Sequence, residues 1–175
     1  MRRDDSTAVS GRSAIDLAAL YREHRLGLLR MAVLLVDDRA TAEDVVQDAF
    51  VSFQRSLDRL RSPEAALAYL RVCVANAARA AIRRRQVARR HLHRSTVVTD
   101  EPPADTELML AAEHQEVLRA LRRLPDRQRE VLILRYWSDL SEAQIAETLG
   151  ISTGTVKSTA SRGMRRLAVV LKGAR

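Results

Sequence analysis

The sequence predicts an all-α protein built as two small helical domains joined by a linker, and three observations carry that reading. The 175 residues are 46 % hydrophobic but only 3 % aromatic, so the core must be made of Leu, Val, Ala and Ile, a mixture that favours helices over sheets. Apolar residues recur at intervals of three and four on both sides of the middle of the chain, the spacing of one helix face. Between these halves, Ser95 to Thr106 contains Thr99-Asp100-Glu101-Pro102-Pro103, which is acidic, proline-bearing and aperiodic, as a flexible linker is.

Taken in order, residues 1–13 are polar and unpatterned and are expected to form a mobile tail. Residues 14–90 make the first domain, 91–107 the linker and 108–175 the second domain. From Ala14 to Gln86 one helix follows another, with breaks near Asp37-Asp38 and Arg61-Ser62-Pro63. Thr41 is expected to cap the second helix, with Glu43 and Asp44 in its first turn, where acids suit the helix dipole. That helix should bury Val46, Ala49, Phe50, Phe53, Leu57 and Leu60 and leave Asp44, Gln47, Asp48 and Arg55 in solvent. Pro63 suits the first turn of the third helix, where its missing N–H costs nothing. Asn76, Arg79, Arg83 and Arg84 then line one side of that helix. Cys73, the one cysteine, excludes an internal disulfide and reads as a small core residue.

After the linker, Leu110, His114, Val117, Leu121 and Leu124 resume the helical spacing; Pro125 ends that helix and Asp126 starts the next. Ser141 and Gln144 form a capping box, with Leu140 and Ile145 placed for a hydrophobic staple. The helix they open buries Ile145, Ala146 and Leu149 and stops at Gly150, suited to a left-handed position. Only Ile151 separates that glycine from Ser152, a second cap, so the two helices must cross steeply as a helix-turn-helix. In the second of them Val156, Ala160, Gly163 and Leu167 share the buried face. Thr155, Lys157, Ser158, Ser161, Arg162, Arg165 and Arg166 occupy the rest, suited to base edges near the N-terminus and phosphates beyond it.

Charge sharpens the division. The formal net charge is +8 and only two of thirty basic residues are lysines; arginine pairs bidentately with phosphates and guanine edges. Between Ala65 and Thr99 there are eight arginines and no acid, and Ile151 to the C-terminus is a second acid-free stretch. Two basic blocks, one per domain, suggest two contacts with one nucleic acid. No apolar stretch is expected to reach the roughly 20 residues of a membrane span, and the N-terminus lacks the apolar middle of a signal peptide, so the expected location is the cytoplasm, without membrane insertion. His91 and His93 have no carboxylate or cysteine near them, and neither a nucleophile–base pairing nor a glycine-rich phosphate loop is visible. No catalytic residue, metal site or cofactor is therefore expected.

Leu124-Pro125 with Arg129-Glu130-Val131-Leu132, Leu140 to Ala146, and Gly154-Thr155-Val156-Lys157-Ser158 resemble region 4 of bacterial sigma factors. Ala42 to Phe50, Tyr69-Leu70-Arg71, Asn76, Arg79 and Ile82-Arg83-Arg84 resemble region 2 of the same family. The resemblance runs from about Ile15 to Leu167, with only the linker between the regions, as in the extracytoplasmic-function class (group 4 of the sigma-70 family), and no appended C-terminal sensory domain is expected. It implies that Asp44, Gln47 and Asp48 dock on the β′ clamp helices of core RNA polymerase and that region 4 meets the β flap. It further implies that Asn76, Arg79, Arg83 and Arg84, with Ser62 and Glu64 in the loop before them, contact the −10 promoter element. The recognition-helix residues Thr155 to Arg166 named above would contact the −35 element. An anti-sigma factor wedged between the domains is a further partner the resemblance allows. Two departures stand out: the loop Arg61 to Ala66 offers no aromatic to stack on a flipped base, and Gly163 replaces a usual alanine, which would soften the helix. A stand-alone regulator that dimerises on an operator is the alternative, but it leaves the Asp44-Gln47-Asp48 face unexplained.

Overall fold

Two aspartates decide where the first two helices begin. The computed structural model describes residues 15–57, 62–92 and 115–173, and among them the regular structure is entirely helical. Asp16 accepts the amides of Ala18 and Ala19 at 2.9 and 3.1 Å and opens α1 (Leu17–Val36). Asp38 accepts the amide of Thr41 at 2.9 Å and opens α2 (Arg39–Gln54). The expected cap, Thr41, is thus an occupant of the first turn, because Asp38 takes up its amide. α2 buries Ala42, Val45, Val46, Ala49, Phe50 and Phe53. Leu57 follows the helix and is only half-buried, while Leu60 lies outside the described residues.

Asp38 also pairs with Arg85 of α3 (Pro63–Leu92), Oδ2 to Nη2 3.0 Å. Burial alone would push its carboxyl up; Thr41, through hydroxyl and amide, together with Arg85 and the Ala40 amide, outweighs that and holds it below the ordinary value. A depressed folded-state pKa means stability that is present above the unfolded value of about 3.9 and is lost as pH falls through the lower folded value. Asp38→Ala is therefore expected to cost about 1 kcal/mol at neutral pH. Urea titrations at pH 7 and pH 3 should find a smaller cost at the lower pH.

Ser62 caps α3 by accepting the Ala65 amide at 3.2 Å, so Pro63 to Ala66 form its first turn rather than a loop. α3 continues past Gln86 to Leu92, two residues into the segment expected as linker. Within Ala65–Ala88 an 18-residue window has a mean hydropathy of 1.3, long and apolar enough by length and composition to cross a membrane. That corrects the expectation that no segment reaches this length; its alanines and valines carry the average between the arginines. Its apolar face is used by the core instead. Ala66, Leu70, Val74 and Ala78 are fully enclosed, and α3 packs on both α1 and α2. Cys73 is buried there, and burial pushes its thiol up, which keeps it inert.

The second unit begins, among the described residues, with α4 (Gln115–Arg122) and α5 (Asp126–Leu132), the latter running into a π-helical turn at Ile133–Trp137. α4 buries Leu118, Ala120 and Leu121, whereas Val117, expected in the core, is exposed; Leu110 and His114 lie outside the described residues. The π-helical turn widens the end of α5, with Ser138 Oγ donating back to the Ile133 carbonyl at 3.3 Å. Then come α6 (Glu142–Leu149) and α7 (Thr153–Lys172).

The two units touch one another. The π-helical turn packs on α1 and α6 packs on α3. Asp37, left-handed at φ 63° where α1 ends, meets Arg129 of α5, Oδ2 to Nη1 2.7 Å, and Arg122 of α4, Oδ1 to Nε 3.7 Å. Burial pushes the Asp37 carboxyl above its ordinary value against the pull of both guanidiniums.

Candidate nucleic-acid interface

The helix-turn-helix assembles from its caps. Ser141 Oγ accepts the Gln144 amide at 3.2 Å while Gln144 Oε1 accepts the Ser141 amide at 2.8 Å, satisfying two otherwise orphaned donors. At the far end Gly150 is left-handed, φ 63°. Its amide donates to Glu147 O at 3.2 Å and that of Ile151 to Ala146 O at 3.0 Å, closing α6 in a Schellman turn. Ser152 Oγ accepts the Thr155 amide at 3.1 Å and starts α7.

α7 buries Val156, Thr159, Ala160, Gly163 and Leu167 and packs on α4, α5 and α6. Thr159 was missed from the sequence, although it lies three residues after Val156 on the same face. Gly163 has a packing reason. A Cβ built there would sit 3.2 Å from Cγ and Cδ1 of Leu132 and 3.4 Å from Cβ of Gln128. Alanine would gain about 1 kcal/mol of helix propensity but overpack a contact whose crowding costs roughly 1–3 kcal/mol. Gly163→Ala is expected to lower stability by about 1 kcal/mol net, read as a lower denaturation midpoint; an unchanged or raised midpoint would reject this reading.

All seven residues expected to face DNA from this helix are exposed: Thr155, Lys157, Ser158, Ser161, Arg162, Arg165 and Arg166. Arg162 is steadied by its own helix, Nε donating to Ser158 O at 3.3 Å. One acid reaches this basic face. Glu142, at the start of α6, lies 3.5 Å from Lys157 Nζ and 2.9 Å from Arg135 Nη1. The sequence offers no signal for that pair, since the three residues come from different elements.

On α3, Asn76, Arg83 and Arg84 are exposed along one side. Ser62 is half-buried with its oxygen occupied as a cap, and the side chain of Glu64 lies outside the described residues. Arg79 departs from its row. It turns towards the second unit, donating to the Thr148 carbonyl and, at 3.5 Å, to that of Leu149, with Nε 3.2 Å from Glu130 Oε1. On α2, Asp44, Gln47 and Asp48 are exposed, as is Arg55 just past its end, while Glu43 is engaged by Arg39 at 2.9 Å. Among the described residues no group of His, Cys, Asp and Glu could hold a metal ion.

With this geometry in view, known proteins supply the frame. Residues 20–91 match the family Sigma-70 region 2, and residues 114–167 match Sigma-70, region 4. The RNA polymerase sigma-E factor of Streptomyces avermitilis is 33 % identical over 156 residues, covering 87 % of this chain and 83 % of that protein. The ECF RNA polymerase sigma factor SigM of Mycobacterium tuberculosis is 31 % identical over 172 residues, covering 97 % and 85 %. Among solved structures, the sigma factor RpoE in complex with the anti-sigma factor NepR from Bartonella quintana superposes with a TM-score of 0.67 at 28 % identity, covering 90 % of this chain and 99 % of that one. CnrH in complex with the cytosolic domain of CnrY gives 0.59 at 25 % identity, covering 91 % and 89 %.

Proposed function

We propose the following division of labour for a chain that belongs to the sigma-70 family of RNA polymerase sigma factors, in its extracytoplasmic-function class. Factors of this class bind core RNA polymerase and direct it to promoter DNA. In this chain the acid and amide face of α2, Asp44, Gln47 and Asp48, docks on the β′ clamp helices, and the second unit meets the β flap. Asn76, Arg79, Arg83 and Arg84 of α3 engage the −10 element, with Ser62 and Glu64 at its start. Thr155, Lys157, Ser158, Ser161, Arg162, Arg165 and Arg166 of α7 engage the −35 element. The domains are 14–90 and 108–175, joined through 91–107. The factor contributes no chemistry of its own and works in the cytoplasm beside the polymerase.

The observation that carries this reading is α7 itself. One face is buried on three helices, and the opposite face presents four cations and three hydroxyls to solvent without an acid of its own. A helix so disposed fits a major groove. The likeness to RpoE, solved with the anti-sigma factor NepR, supports an anti-sigma protein as a partner here too. Run-off transcription with purified core enzyme and a genomic library tests the proposal: specific products dependent on the chain are expected. A complete lack of stimulation would remove it. A stable dimer binding an operator tightly without polymerase would favour a stand-alone regulator instead.

A further inference from the structure

We propose that Glu142 is a positioning residue for promoter recognition: by bridging Arg135 and Lys157, it aims the Lys157 ammonium at the edge of a guanine in the −35 element. The inference rests on the reading of α7 as the −35 helix and adds a residue from outside that helix to its specificity.

Lys157 by itself has no reason to read a base. It lies in the second turn of α7, with a side chain 68 % exposed. A lysine is a compact charge on a flexible four-carbon stem, and DNA carries one negative charge for about every 1.7 Å of its axis. A free ammonium therefore goes to whichever phosphate is nearest, and phosphate contacts carry no sequence information. Reading a base requires that the stem be held in one direction.

Glu142 supplies that hold. Its two oxygens are divided between cations from two other elements, Oε1 2.9 Å from Arg135 Nη1 and Oε2 3.5 Å from Lys157 Nζ. Arg135 stands on the π-helical turn with its guanidinium 5.6 Å from the centre of the Tyr136 ring, so it is held between that ring and Glu142. The turn thus fixes the carboxylate, and the carboxylate fixes the ammonium. A place in the first turn of α6 suits any acid through the helix dipole. The dipole accounts for the acid but not for the two cations drawn to it. Exposed ion pairs are weak in solvent; this one strengthens once DNA excludes water from it.

The base follows from donor chemistry. An ammonium donates and never accepts. In the major groove guanine presents two acceptors, O6 and N7, and no donor, whereas adenine sets a donor beside its one acceptor. Residues near the N-terminus of a recognition helix are those that meet base edges, and Lys157 is the one cation in that part of α7.

The test uses holoenzyme and a labelled promoter fragment on which the wild type initiates, with each G·C pair of the −35 element changed in turn to A·T. In the wild type one such change should weaken binding about tenfold, and Lys157→Ala should remove that penalty. Glu142→Gln, uncharged and of the same size, should shrink the same penalty to under about threefold and leave those at other pairs unchanged. It should also steepen the salt dependence by about one unit of log–log slope, as the released ammonium takes a phosphate. Glu142→Asp keeps the charge at the start of α6 but is one methylene shorter, and should lose the penalty as Glu142→Gln does. A full penalty in either variant would mean that Glu142 serves the helix dipole alone and would overturn the proposal. An equal loss at every pair would overturn it too. Should circular dichroism show lost helix in Glu142→Gln, Glu142→Asp carries the comparison. If Lys157→Ala leaves every penalty unchanged, the promoter reading of α7 itself falls, and this inference with it.

Discussion

Replacing Asp44, Gln47 and Asp48 together by alanine is expected to weaken binding to core RNA polymerase by roughly a hundredfold, the effect of losing a hot-spot cluster worth about 2–3 kcal/mol. The fold should be untouched. All three side chains are exposed on α2, opposite the face that carries Phe50 and Phe53 into the core, and surface substitutions of this kind usually fall within about 0.5 kcal/mol of neutral. The paired measurement is decisive: competition for core enzyme against a reference sigma factor, and urea denaturation of the free chain. A helix whose outer face only solvates the protein would show neither change. Charge reversal at Asp44 and Asp48 should weaken docking further, because like charges then face one another on a basic-seeking surface. Full competition by the triple variant would remove this face from the proposed interface.

Phe53→Ala is expected to cost about 3–5 kcal/mol of stability. The ring is fully enclosed, 0 % exposed, in the helix that packs against both α1 and α3, with the Tyr69 ring 6.2 Å away. The Tyr69 ring is held by the 3.1 Å hydrogen bond between its hydroxyl and Ser56 Oγ, and aliphatic side chains already at close packing relax only in part. Since domains are stable by about 5–15 kcal/mol in all, a large share of the molecules would unfold at 37 °C. A fall in the urea midpoint with an unchanged slope is the expected signature. A cost under about 1 kcal/mol would mean that the site collapses freely and that α2 does not anchor the first unit.

The caps show how much local chemistry can be read directly. Ser141 with Gln144, Gly150 and Ser152 stand where their side chains and conformational freedom place them, because a cap is a matter of three or four consecutive residues. Thr41 shows the limit of the same logic. Two residues three positions apart could start α2, and Asp38 prevails over Thr41 with Arg85, 47 positions further on, supporting its carboxylate. The missed burial of Thr159 and the exposure of Val117 follow from how α4, α5 and α6 meet α7, a geometry that the period of one helix does not contain. Gly163 reads from the sequence as a soft spot; opposite Leu132 it becomes the residue that lets α7 approach α5.

What the sequence by itself determined is therefore local and chemical: an all-α chain, the helix-turn-helix with its caps, the exposed acid face on α2, the basic blocks, and the family to which they belong. These follow from composition, from the 3.6-residue period and from short motifs, each decided within a few turns of chain. What only the tertiary structure decided is which of the basic residues are free. Arg79 shares a helix face and a charge with Asn76, Arg83 and Arg84, and nothing within α3 distinguishes it. It is set apart because the orphaned carbonyls of Thr148 and Leu149 and the carboxylate of Glu130 lie opposite it. Those acceptors come from residues 51 to 70 positions further along, and only folding brings them within hydrogen-bond reach.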